Sequence, residues 1–92
     1  MKSKRRKTGR GFVKIELDEA YGERCSLQES SSVVPHVWLG LEKAKLKHLS
    51  GNGWVEYSVP PYVLINMRMC LNRRQVKQLI KRLQKFVDTG RL

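Results

Sequence analysis

The sequence predicts an α+β fold: a small antiparallel sheet of about five or six short strands, followed by one C-terminal amphipathic helix packed on it. Three observations carry that prediction. Apolar and polar residues alternate in several short runs between Phe12 and Val59, the period of half-buried strands. Clusters of turn-forming residues separate those runs. From Leu71 the apolar period lengthens to that of a helix, and strands grouped ahead of a helix, instead of alternating with helices, belong to the α+β class.

The elements follow in order. Residues 1–11 are basic and polar and read as a flexible tail ahead of a single domain, 12–92. In the first strand, from Phe12, residues Val13, Ile15 and Leu17 face one way and Lys14 and Glu16 the other. After a turn over Asp18–Gly22, Arg24–Ser30 alternates again, with Cys25 and Leu27 inward and Arg24, Ser26, Gln28 and Ser30 outward. A loop to Pro35 leads to a third strand, His36–Leu41. Leu46–Leu49 and Trp54–Val59 flank Ser50-Gly51-Asn52-Gly53, a hairpin signal, because glycine and asparagine tolerate positive φ. Pro60-Pro61 stops that strand. The continuously apolar run Tyr62–Cys70 predicts a central strand covered on both faces.

The helix is expected over about 73–89. Val76, Leu79, Ile80, Leu83, Phe86 and Val87 share one side, and Arg74, Lys77, Gln78, Lys81 and Lys85 the opposite one. Asn72 and Gln75 have capping-box spacing, Leu71 and Val76 can form a hydrophobic staple, and Gly90 suits the left-handed position after the last turn.

A chain of 92 residues forms one thin-cored domain, and a partner subunit would help it bury apolar surface. The net charge of +11 is concentrated at the two ends. Residues 1–10 carry six bases and no acid, the helix carries six bases against Asp88, and residues 11–72 hold six bases and seven acids. No run approaches a membrane span, no apolar stretch follows the basic opening as a signal peptide requires, and Cys25 and Cys70 have no CxxC spacing. The expectation is a cytoplasmic setting with two free thiols.

Catalytic motifs are missing: the sequence has no GxSxG, P-loop, HExxH or paired-carboxylate pattern, so a non-enzymatic protein without cofactor is expected. Cys25, His36, His48 and Cys70 match no zinc-site spacing. The helix N-terminus is unusual. Arg73 and Arg74 sit where the helix dipole disfavours cations, an arrangement that suits a bound phosphate, although the side chains can equally extend into water or pair with Glu16, Glu23 or Glu29. The outward residues Arg24, Ser26, Gln28 and Ser30, continuing into Ser31, make either a polar ligand surface or an ordinary wetted strand face. Trp38, Trp54, Tyr21 and Tyr62 serve either the core and interfaces or a stacking platform.

Three pieces of sequence, YG-x-x-CSLQ-x-SS, the WLG at 38–40 and the RM-x-L-x-R-x-Q leading into the helix, resemble a group of small uncharacterised proteins of tailed bacteriophages and prophages. The resemblance spans most of residues 12–92 and implies a small accessory phage protein in the cytoplasm of an infected host. It places shared function in Tyr21, Gly22, Cys25, Ser26, Gln28, Ser30, Ser31, Trp38, Arg68, Arg74 and Gln75. The basic tail and strongly basic helix depart from that pattern.

Two functions follow as expectations. The first is a counter-defence sponge, a homo-oligomer capturing a phosphate-bearing immune signal of the cyclic-oligonucleotide or ADP-ribose type, with Arg24, Ser26, Gln28, Ser30, Ser31, Trp38, Arg68, Arg73, Arg74 and Lys77 as ligand-binding residues. The second is a nucleic-acid-binding protein, or an inhibitor of a defence nucleoprotein, using Lys2, Lys4, Arg5, Arg6, Lys7, Arg10, Lys81 and Lys85 on phosphates.

Overall fold

A computed structural model describes residues 3–92. It contains a five-stranded antiparallel sheet in the order β1-β2-β3-β4-β7, a separate hairpin β5-β6, and one helix. The strands are β1 (Ser3–Lys7), β2 (Val13–Asp18), β3 (Arg24–Glu29), β4 (His36–Leu41), β5 (Lys47–Ser50), β6 (Gly53–Glu56) and β7 (Arg68–Asn72); α1 is Arg73–Thr89. The fold is α+β, with the helix at the position the apolar spacing gives.

Register sorts the sheet into two unlike faces, because residues directly opposite each other on neighbouring strands point the same way. The row Lys4, Glu16, Ser26, Gly40, Arg68 and the row Arg6, Lys14, Gln28, Trp38, Cys70 lie on a polar face. The row Arg5, Ile15, Leu27, Leu39, Met69 lies on the other, with Val13, Leu17, Val37, Leu41 and Leu71. Alternation alone therefore explains the inward and outward sides of β2, β3 and β4.

Three expectations are corrected. Residues 3–7, read as part of a flexible tail, form β1 and pair along their whole length with β2. Strand pairing here overrides the sequence's polarity: the backbone supplies the hydrogen bonds, while four charged side chains stay in solvent on an edge strand, where charge is tolerated best. The run Tyr62–Cys70 is not a central strand. Only its end enters β7, which is the opposite edge of the sheet, and Tyr62 and Leu64 are exposed. Val63 N–H donates to Pro60 O at 3.0 Å, closing a turn at the start of the run instead of joining the ladder.

The third correction concerns the helix, which is not laid across the sheet. Its contacts with other elements are confined mainly to β7, and no helix residue is buried. Ile80, Phe86 and Val87 are 61%, 51% and 75% exposed. The cause is local. Asn72 is both the last residue of β7 and the N-cap of α1, so no loop exists in which the chain could reverse direction. Both helix ends otherwise match their sequence signals. Asn72 accepts from the Gln75 amide at 2.8 Å, Gln75 accepts from the Asn72 amide at 2.9 Å, and Gly90 is left-handed at φ 74°.

Among the described residues no hydrophobic side chain is fully buried; Ser26 alone is. The radius of gyration is 16.3 Å, against about 12 Å for a compact domain of this length.

Candidate functional site

The polar face gathers several of the residues selected from sequence. On β7, Arg68 donates to Gln28 Oε1 on β3 at 2.9 Å, and its guanidinium lies over the Trp38 ring of β4, 5.6 Å from the centroid. Three strands thus converge on one cation. The stacked geometry leaves part of the guanidinium available for an anion, because a ring occupies a face of the group and one hydrogen bond uses one of its five donors.

This cluster walls a cavity of about 260 Å³ that also takes in Arg10, Phe12, Ser30 and Ser31. Arg10 lies 5.8 Å from the Phe12 ring centroid, a second cation-on-aromatic pair at the same site. The turn that brings Arg10 there is closed by Gly11 N–H donating to Thr8 O at 2.9 Å and Phe12 N–H donating to Thr8 Oγ1 at 3.2 Å. Gly11 has φ 86°, a conformation that favours glycine. Arg10, expected to act on nucleic acid, therefore sits with the ligand-binding set.

A second, larger cleft of about 510 Å³ adjoins the first, sharing Phe12, Glu29 and Ser30. It lies where α1 leaves the sheet. Its lining combines apolar Phe12, Pro35, Val37, Leu71, Val76 and Ile80 with polar Ser30, Ser32, His36 and Asn72, the cations Arg73 and Lys77, and one carboxylate, Glu29, whose Oε1 accepts from the Val13 amide. The β3–β4 connection forming one wall is braced internally. Ser30 donates to Ser32 Oγ at 3.0 Å, Ser32 donates to Val34 O at 2.6 Å, and His36 Nδ1 lies 2.7 Å from Val34 O, which makes that nitrogen a donor. Apolar side chains, hydroxyls and two cations against one carboxylate suit a ligand with a flat ring and phosphates.

Below Trp38 and Arg68 a third cavity, about 350 Å³, contains Lys14, Glu42 and the segment 64–67. Lys14 Nζ lies 2.8 Å from Glu42 Oε1. The Glu42 carboxyl is held below the usual carboxylate range, first by the hydrogen bond from Lys14, with Ser26 and Arg68 acting the same way and partial burial opposing them. Ser26 itself is fully buried, and its hydroxyl has no well-aligned hydrogen-bond partner.

The sequence-selected residues thus divide. Gln28, Ser30, Ser31, Trp38 and Arg68 come together, and Arg73 and Lys77 line the adjoining cleft. Ser26 lies on the expected face but is covered, so it supports the site from beneath instead of touching a ligand. Arg24 is at the far end of β3, 3.1 Å from Glu16 and paired across the ladder with Asp18, and lines neither cleft. Arg74 is exposed and lines none of these three cavities. Trp54 is on the separate hairpin, and Tyr21 and Tyr62 are exposed away from Trp38's cavities. Lys4, Arg5, Arg6 and Lys7 lie along β1, with Arg6 engaged by Glu16; Lys81 and Lys85 are exposed on α1; Lys2 falls outside the described residues.

Phe12, Ser32, His36 and Asn72 were not selected from the sequence as ligand residues. Phe12 directly follows the basic segment, an aromatic–cation adjacency that is the one available signal; the other three become neighbours only through strand pairing. Cys25 lies on the apolar face and its thiol is pushed up, first by burial and then by surrounding carboxylates including Glu19 and Asp18. It is a poor nucleophile at neutral pH. Among the described residues no helix is long and apolar enough to cross a membrane. No protein-family model, curated protein or solved structure matches the chain.

Proposed function

We propose that this protein is a non-enzymatic phage counter-defence protein that sequesters a phosphate-bearing nucleotide signal, of the cyclic-oligonucleotide or ADP-ribose type, in the cytoplasm of the infected host. The observation that carries the ligand class is the pair of adjoining clefts. One offers Arg68 stacked on Trp38 beside Gln28, Ser30 and Ser31, and the other apolar side chains together with Arg73 and Lys77. Phosphate oxygens suit the guanidinium and hydroxyl donors, and a base or ribose face suits the aromatic and apolar walls. The sponge acts as a homo-oligomer, consistent with a protomer that leaves extensive apolar surface uncovered. The phage setting rests on the YG-x-x-CSLQ-x-SS, WLG and RM-x-L-x-R-x-Q resemblance.

Calorimetric titration with a panel of cyclic oligonucleotides and ADP-ribose derivatives tests the reading. Binding without turnover of the nucleotide is expected, and Arg68→Ala should weaken it roughly 10–100-fold, since a charge-assisted hydrogen bond contributes about 1.5–3 kcal/mol. A panel that gives no heat overturns the proposal.

A second reading, nucleic-acid binding, is favoured by β1, an outer strand carrying Lys4, Arg5, Arg6 and Lys7. With Arg10, Lys81 and Lys85 these make seven cations; with Arg6 engaged by Glu16, about six phosphate contacts and a log–log salt slope near −5 on duplex DNA are expected. A slope near zero, or affinity unchanged on deleting residues 1–10, rejects it.

A further inference from the structure

The apolar stripe of α1 is largely exposed, the apolar face of the sheet is half-buried with no other described element packed across it, and the two belong to one chain whose geometry keeps them apart. We infer that each is covered by the other from a second copy: α1 of one protomer lies across the apolar sheet face of its partner, and the exchange is reciprocal. This rests on the homo-oligomer proposed above and assigns its surfaces; because Val37, Leu71, Val76 and Ile80 also line the larger cleft, the partner would wall that cleft, while the Arg68–Trp38 cavity stays on the opposite face.

Area argues for a partner. The protomer exposes 8259 Å². A compact monomer of 10.7 kDa exposes about 5,500 Å², so about 2,750 Å² is in excess. A standard interface buries about 800 Å² per partner, and obligate dimers bury more. The excess is shared among α1, the separate hairpin β5-β6 and the exposed segments 33–34 and 62–64, and it is large enough to supply an interface of that size.

Shape and charge select the arrangement. The sheet face presents Ile15, Leu27 and Leu39 in one cross-strand row, and the helix presents Ile80, Leu83 and Phe86 along one side. Seventeen residues of helix span about 25 Å, and five strands span about 20 Å, so one helix covers the face corner to corner. Arg74, Lys81 and Lys85 lie on the opposite side of α1 and would remain in solvent. Within one chain the same contact is prevented by the direct junction at Asn72. A second copy removes that restriction and satisfies both surfaces at once, as a two-fold isologous interface requires.

The test uses the full chain without nucleotide, so a failed titration and a failed dimer are separate results. Sedimentation equilibrium should give at least twice the chain mass, and the unfolding midpoint should rise with protein concentration. For the arrangement, Cys25 and Cys70 are replaced by serine. An isotope-labelled chain carrying Leu27→Cys is then co-refolded with an unlabelled chain carrying Leu83→Cys and treated with a short bis-maleimide. Links between labelled sheet and unlabelled helix should exceed helix-to-helix links, measured between copies of the Leu83→Cys chain, at least tenfold. Ile80→Lys combined with Leu83→Lys should abolish the dimer; if that variant merely unfolds, the cross-linking decides. A monomeric mass with concentration-independent cooperative unfolding overturns the inference, and so does a dimer whose helices link only to each other.

Discussion

Gly40 stands opposite Arg68 in the β4–β7 register, and a methyl group added there would collide with the backbone carbonyl of Met67 and the Cα of Arg68. Backbone cannot swing aside as a side chain does. Gly40→Ala should therefore destabilise the fold by about 2 kcal/mol or more, seen as a lower urea midpoint, and should weaken nucleotide binding by shifting Arg68 from Trp38. Glu42 makes the pH-sensitive contribution at this scale. Its carboxyl is held below the ordinary range, chiefly by Lys14, so its stabilising effect is complete above the ordinary carboxylate pKa and disappears as pH falls through the lowered folded value. Glu42→Gln should accordingly be less stable than the parent near about pH 7, with the gap closing toward about pH 3, as urea midpoints at the two pH values would show. Cys25 and Cys70 are both free, but the raised Cys25 thiol on the apolar face should alkylate more slowly than the exposed Cys70 at neutral pH, which peptide mass spectrometry after brief iodoacetamide treatment measures directly.

Helix α1 was legible almost residue by residue because its signals are local: Asn72, Gln75 and Gly90 act within a few positions of themselves. Asn72→Ala removes the side-chain acceptor for the Gln75 amide and should cost about 1 kcal/mol, with loss of helical signal at the β7 end. Strands β2, β3 and β4 were legible for a related reason, since alternation records which face is apolar. What alternation does not record is coverage. The same Val13, Ile15 and Leu17 pattern arises whether a face meets its own helix or another chain's, and so α1 was placed on its own sheet. Strand β1 was missed because its residues are chosen for an edge, where charge is favourable and apolar content uninformative. Of the site, the Gln28–Trp38 side was visible in β3 and β4. Arg24 was wrongly grouped with it, because strand alternation assigns a face but no position along it: Arg24 and Gln28 share a side of the sheet while lying at different ends of one strand.

At the scale of the molecule, the two sheet faces contribute differently to the clefts. The polar face carries the Arg68–Trp38 cavity, whereas the larger cleft draws Val37 and Leu71 from the apolar face and Val76 and Ile80 from the helix stripe. Arg68 lies outside the larger cleft, so on the proposed reading Arg68→Ala is expected to keep the parent's sedimentation mass while losing nucleotide affinity. Both edge strands restrict how copies can join. β1 presents charge along one side, and β7 passes straight into a helix on the other, so growth by adding strands is disfavoured. The junction at Asn72 has a mechanical meaning as well. With no intervening loop, α1 behaves as a rigid pointer about 25 Å long whose pivot is part of the larger cleft's lining, and a rotation of roughly 10° at that pivot would carry Gly90 through about 4 Å. A rotation at that junction would therefore be read out at the far end of the helix, about 25 Å from the Asn72 end of the larger cleft.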